Sequence, residues 1–158
     1  MNRIARRTAV IIAVGAVASS LLVGTASADG ATVTRGDFTA FAAGPSLGYE
    51  DLAGHARMIR TASGSTIVKV HVTGLQPATT YGSHVHAAAC DVGEADGHYK
   101  DDPDGPATPP NELWPGFTTD ADGIGNGGDK APWTARETAV SVVVHAPGGA
   151  KIGCADLA

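Results

Sequence analysis

The sequence predicts an all-β fold, a sandwich or closed barrel, on three observations. Its apolar residues fall into short runs of β-branched character with period-two alternation, as in Thr66 to Val72. The 21 glycines and 9 prolines punctuate those runs with turn chemistry. No segment sustains a helical period.

In chain order, residues 1–28 read as a secretory signal peptide. Arg3, Arg6 and Arg7 precede an apolar stretch from Thr8 to Val23, and Ala26-Ser27-Ala28 closes it. Gly15, Ser19 and Ser20 interrupt the stretch, which falls short of the ~20 apolar residues of a spanning helix. Ordinary secretion is favoured over the twin-arginine route, because Thr8 and Ala9 do not extend the Arg6-Arg7 pattern. Residues 29–158 then form one domain by size. Thr32 to Ala42 reads as a first strand, and Ala56–Thr61 and Thr66–Val72 as a hairpin across Ala62-Ser63-Gly64-Ser65. Val68, Val70 and Val72 share one face of the second arm; Ile67, Lys69 and His71 share the other, wetter one. Thr80–His86 and Val140–His145 are further strands. Between Cys90 and Gly128 runs a long acidic stretch rich in glycine and proline, of the kind that is functional or disordered.

Eleven Lys and Arg stand against sixteen Asp and Glu in the whole chain. Three of the cations lie in the signal segment, so residues 29–158 carry −8, which argues against a nucleic-acid partner. The two cysteines, Cys90 and Cys154, in a chain bound for an oxidising compartment predict one intramolecular disulfide. Closing that loop contributes roughly 4 kcal/mol on the chain-entropy model. No membrane span is expected after signal cleavage, and a monomer is preferred.

His84 and His86 flank Val85, so on a strand both imidazoles project from one face. His98 follows in the loop, and His145 ends the apolar strand. Each alone reads as a solvated or hydrogen-bonded side chain; four imidazoles together suit copper or zinc.

Gly82-Ser83-His84-Val85-His86, Cys90, Gly97-His98, Asp120-Ala121-Asp122-Gly123, Val142-Val143-Val144-His145 and Gly153-Cys154 resemble, in that order, the copper,zinc superoxide dismutases. The likeness spans roughly Ala56 to Leu157. It implies a Greek-key β-sandwich or flattened barrel, with copper held by His84, His86, His98 and His145. His98 matches the histidine that bridges copper and zinc, and Cys90 and Cys154 match the family disulfide. The implied reaction is dismutation of superoxide to dioxygen and hydrogen peroxide.

Three departures set a subtype. No histidine lies between His98 and His145, where the family keeps zinc ligands, so zinc is not expected and the pattern is copper-only. Asp101, Asp102 and Asp104 read as solvated loop acids. Without zinc, the outward nitrogen of His98 needs another partner, and Glu112 is the candidate, the alternative being an exposed acid before a buried Trp114. Only Ala146 to Ala150 separate His145 from Lys151, so the family's long charged loop is missing. Lys151 stands where the family carries an arginine and loses its planar fork.

Glu112, His98 and Lys151 are thus the expected catalytic set, with superoxide and a copper donor as partners and an extracytoplasmic location. The principal alternative is a non-catalytic copper carrier on the same fold. A cupin-type barrel fits poorly, because Cys90 and Asp91 stand where its glutamate belongs. A purely structural domain would not keep all four histidines.

Overall fold

The computed structural model describes residues 30–158; the expected signal segment, residues 1–28, lies outside the described residues. Among the described residues nine strands form two antiparallel sheets. They are β1 (Thr32–Asp37), β2 (Thr39–Ala40), β3 (Ala53–Arg60), β4 (Thr66–Thr73), β5 (Thr80–His86), β6 (Phe117–Thr118), β7 (Gly125–Ala131), β8 (Ser141–His145) and β9 (Lys151–Asp156), with one short helix α1 (Ala43–Ser46). One sheet runs β1-β3-β4-β7 and the other β2-β9-β8-β5-β6. The chain crosses between sheets at β1 to β2, β2 to β3, β4 to β5, β6 to β7 and β7 to β8. The fold class is the β-sandwich the sequence predicts.

The inward faces follow the period of two. Val68, Val70 and Val72 are buried while Lys69 between them is exposed. They meet Met58, Leu52, Phe38, Tyr81, Val85, Leu113, Phe117 and Ile152 in one core between the sheets. Val142, Val143 and Val144 are all fully buried, because β8 is covered on both faces. Val142 and Val144 enter the core, whereas Val143 packs with Ala95 and Cys154 under the loop that follows β5. An uninterrupted apolar run records that double burial.

Several boundaries differ from the sequence reading. The expected strand Thr32–Ala42 breaks at Phe38, whose side chain is buried, so that β1 joins one sheet and β2 the other. β3 starts at Ala53, three residues before the predicted Ala56. The strands β6, β7 and β9 were not read. β7 is Gly-Asn-Gly-Gly-Asp-Lys-Ala, a composition that by itself signals a turn. Its glycines instead admit close neighbours: a Cβ on Gly125 would overlap the Phe117 ring, and one on Gly127 would meet the Pro115 carbonyl.

The long stretch after β5 is ordered by its own hydrogen bonds. Asn111 Nδ2 donates to the carbonyls of Asp102 and Pro106, at 2.9 Å each, and Trp133 Nε1 donates to Pro110 O at 2.8 Å. Cys90 and Cys154 are joined in a disulfide that ties this segment to β9, and the Cys90 amide donates to Asp156 Oδ1 at 2.8 Å.

Candidate metal centre

The alternation that buries Tyr81, Ser83 and Val85 turns Gly82, His84 and His86 to the outer face of β5. Gly82 is the Cα partner of His145 on β8, beside the His84 ring. The post-β5 loop brings the fourth imidazole. It runs back along β5, with an antiparallel bridge between His86 and His98 and the Tyr99 amide donating to Val85 O at 2.9 Å. His84, His86, His98 and His145 therefore converge, each offering one ring nitrogen within 4.8 Å of the others.

The other nitrogen of three rings is anchored. His86 Nδ1 lies 3.0 Å from Ala95 O, His145 Nδ1 lies 3.0 Å from Gly149 O, and His98 Nδ1 lies 2.7 Å from Glu112 Oε2. A carbonyl can only accept, so Nδ1 of His86 and His145 carries the proton and Nε2 presents a lone pair. His86 Nε2, His145 Nε2 and His84 Nδ1 are buried with no hydrogen-bond partner. Three ring nitrogens buried without partners, two of them lone-pair acceptors, cost free energy unless something sits among them to pair with. A metal ion is such a partner, and neutral imidazole is the form that binds one.

The local electrostatics hold the rings neutral. Burial, followed by the neighbouring His98, His145 and His86, pushes His84 down to about 3. Burial also takes His86 down to about 4 against the opposing pull of the Ala95 carbonyl. His145 is lowered as well, mainly by burial. The donor set fits a transition-metal ion of the copper or zinc kind, with four nitrogens and no thiolate.

Glu112 is 2 % exposed, whereas Trp114 is 38 % exposed, the reverse of the exposed acid and buried tryptophan entertained from the sequence. Glu112 Oε2 accepts from Trp114 Nε1 at 2.7 Å as well as facing His98, and the indole lies edge-on to His84 with centroids 5.1 Å apart. The signal for this contact was available: residues two apart in extended chain share a face, so Glu112 and Trp114 point together. The anchoring carbonyls of Ala95 and Gly149 had no sequence signal, since they depend on loop geometry. Ala95 lies in a left-handed run, Glu94-Ala95-Asp96, with φ of 52, 63 and 44°.

Lys151 is the strand partner of His145. Its Nζ donates to the carbonyls of Glu94 and Asp96, at 2.7 Å each, so the ammonium braces the loop that carries Ala95 and His98. The Asp104 amide donates to Asp102 Oδ1 at 3.0 Å in the exposed part of the loop, and no second metal-ligand cluster forms around them among the described residues.

No protein-family model and no curated protein matches the chain. Solved structures share the fold, among them two of SOD-like proteins from Bacillus subtilis. A double mutant of a SOD-like protein from Bacillus subtilis aligns with a TM-score of 0.56 at 19 % identity, over 78 % of this chain and 95 % of that one. A single mutant of a SOD-like protein from the same organism aligns with a TM-score of 0.56 at 18 % identity, over 78 % and 96 %. The chain thus has a superoxide-dismutase-like β-sandwich with a four-histidine cluster able to hold a metal ion.

Proposed function

We propose that the protein is an extracytoplasmic copper protein that dismutates superoxide without zinc. The observation that carries this reading is the convergence of four imidazoles, three of which, His84, His86 and His145, keep a buried ring nitrogen without a hydrogen-bond partner. The disulfide fits an oxidising compartment. Among the described residues no helix is long and apolar enough to cross a membrane.

His84 would bind through Nδ1 and His86, His98 and His145 through Nε2, since those are the nitrogens left free. Copper bound there supplies one-electron exchange, by which two superoxide anions and two protons become dioxygen and hydrogen peroxide. His98 would offer Nε2 either to copper or, when not bound to it, to a proton that it can pass to the peroxide product, the second proton coming from water. Glu112 keeps Nδ1 protonated and the ring aimed while that proton comes and goes. Its carboxylate takes the place that a second metal ion would fill on a bridging histidine.

Superoxide turnover of the purified protein loaded with copper alone tests the reading, beside His98→Ala and with zinc added. Rapid turnover, lost in the variant and indifferent to zinc, is expected. Tight copper binding with no turnover would overturn the enzyme assignment in favour of copper carriage. The geometry that favours carriage is the commitment of Lys151 Nζ to two backbone carbonyls, which leaves the site without a free guiding cation, together with the brevity of the segment Ala146 to Ala150.

A further inference from the structure

The outer face of the β1-β3-β4-β7 sheet bears a feature that metal chemistry on the opposite side of the sandwich does not explain. Arg35, Arg57 and Lys69 are direct Cα partners across three adjacent strands. Neighbouring strands lie about 4.8 Å apart, so three cations stand in one row within roughly 10 Å. Like charges placed directly opposite one another destabilise a sheet. All three side chains are exposed, and among the described residues none forms an ion pair or a side-chain hydrogen bond. Lys130 adds a fourth cation at the end of the next row. Asp37 is the single acid projecting from this face, while Asp129 is spent on the amides of Trp114 and Lys130.

The row ends on Gly128, the strand partner of Lys69, across which the lysine side chain lies. With no side chain at Gly128, the face is hollowed into an open groove of about 530 Å³ that includes Arg57, Lys69, His55, His71 and Asn126. A second hollow of about 310 Å³, between Arg35 and Arg57, continues it across the sheet. This concentrates four of the eight Lys and Arg of residues 29–158 on one face of a domain whose net charge is −8.

We propose that this groove binds a flexible, phosphate-bearing polymer, with Arg35, Arg57 and Lys69 contacting successive anionic groups. Bound phosphates would relieve the repulsion that the row otherwise carries, and the guanidinium forks suit them. The net charge selects a chain rather than a plane. A thin polyanion reaches only the groove, whereas a flat anionic surface brings the acidic remainder of the molecule within repulsive range. Because the two outer faces of a sandwich point apart, a protein held this way keeps its histidine cluster directed away from the polymer. The assignment does not depend on which metal the cluster takes.

Binding of fluorescein-labelled long-chain inorganic polyphosphate to the purified protein, followed by anisotropy across a salt series, tests it. Binding is expected to weaken with salt, with a log–log slope of about −2 for three contacts. Arg57→Gln combined with Lys69→Gln is expected to lower affinity at least tenfold and flatten the slope by between one and two. The same variant is expected to melt no lower than the parent, since it removes like-charge opposition; Lys100→Gln, off the face, leaves binding within twofold. No salt-dependent binding at 50 mM salt, or equal losses in the double variant and Lys100→Gln, would overturn the proposal. Equally tight, variant-sensitive binding to phosphatidylglycerol vesicles would also overturn it, in favour of a membrane-facing sheet.

Discussion

Glu112 illustrates how one buried carboxylate organises this site, because a single oxygen faces two donors, the His98 ring and the Trp114 indole. Glu112→Gln keeps the shape and one acceptor but loses the charge that holds the proton on His98 Nδ1. Copper affinity and turnover are expected to fall roughly 10- to 100-fold, the usual effect of removing a partner behind a ligating histidine; unchanged values in a copper titration and a turnover assay would remove Glu112 from the mechanism. Glu112→Ala leaves buried donors unpaired and is expected to cost on the order of 2 kcal/mol in a denaturant titration. The imidazoles make a second expectation, concerning pH. His84 is held at about 3 and His86 at about 4, against 6.5 for a free imidazole. Below pH 6.5 the unfolded chain takes up protons that the metal-free fold refuses, so this contribution to stability declines as pH falls from about 6.5 and stops declining near 3. Thermal melts of the metal-free protein across that range check it, with His84→Gln expected to flatten the dependence. At this scale the sequence was legible wherever chemistry is carried by a side chain with few roles: the four histidines and the two cysteines could be singled out unaided. It was silent on Ala95 and Gly149, whose contribution is a carbonyl that only the loop path aims at a ring, and on the carbonyls of Glu94 and Asp96 that take up the Lys151 ammonium.

Strands buried on one face were legible at the scale of elements, because alternation in β4 and β5 encodes which side meets the core. β7 was not legible, because its composition answers to its neighbours rather than to strand propensity. Gly127 receives the Pro115 carbonyl where a Cβ would be, and that contact seats the segment carrying Glu112 and Trp114 against the sheet. Gly127→Ala is therefore expected to lower stability by about 1–3 kcal/mol through overpacking and, by shifting that segment, to weaken copper binding as well. A denaturant titration and a copper titration on the same variant separate these effects; a stability loss with unaltered affinity would mean that the segment is held without β7. β9 escaped notice for a different reason: Lys-Ile-Gly-Cys-Ala-Asp is short and carries a central glycine, although Ile152 is fully buried and the Gly153 site is filled by the Leu52 side chain. The disulfide acts at this same scale. Replacing Cys90 and Cys154 by alanine is expected to cost about 2–5 kcal/mol. Because the bridge fastens the loop bearing Ala95 and His98 to β9, copper affinity is expected to decline with it, read by titration at a temperature where the variant is still folded.

The charge of the whole molecule bears on how an anion would reach the histidines. Residues 29–158 carry −8, and six acids, Asp91, Glu94, Asp96, Asp101, Asp102 and Asp104, lie in the loop that delivers His98. Half of the eight cations face the other way on the β1-β3-β4-β7 sheet. Lys151 remains beside the cluster as a charge, yet its position is fixed by the carbonyls of Glu94 and Asp96. On the proposed reading superoxide would therefore approach against a repulsive far field and meet attraction only at short range. Salt screens the far field first, since the Debye length is about 30 Å at 0.01 M and about 8 Å at 0.15 M. The second-order rate constant of the copper-loaded protein is accordingly expected to rise, by about twofold, between those ionic strengths, the opposite of the fall that an electrostatically steered enzyme shows. Lys151→Gln is expected to lower the rate at every salt concentration while keeping the upward trend, because it removes near-field charge and leaves the acidic loop in place. Pulse-generated superoxide decay measured at both ionic strengths decides the matter. A rate that falls with salt in the parent and becomes flat in Lys151→Gln would mean that this one lysine outweighs the six loop acids and guides the substrate despite its carbonyl partners.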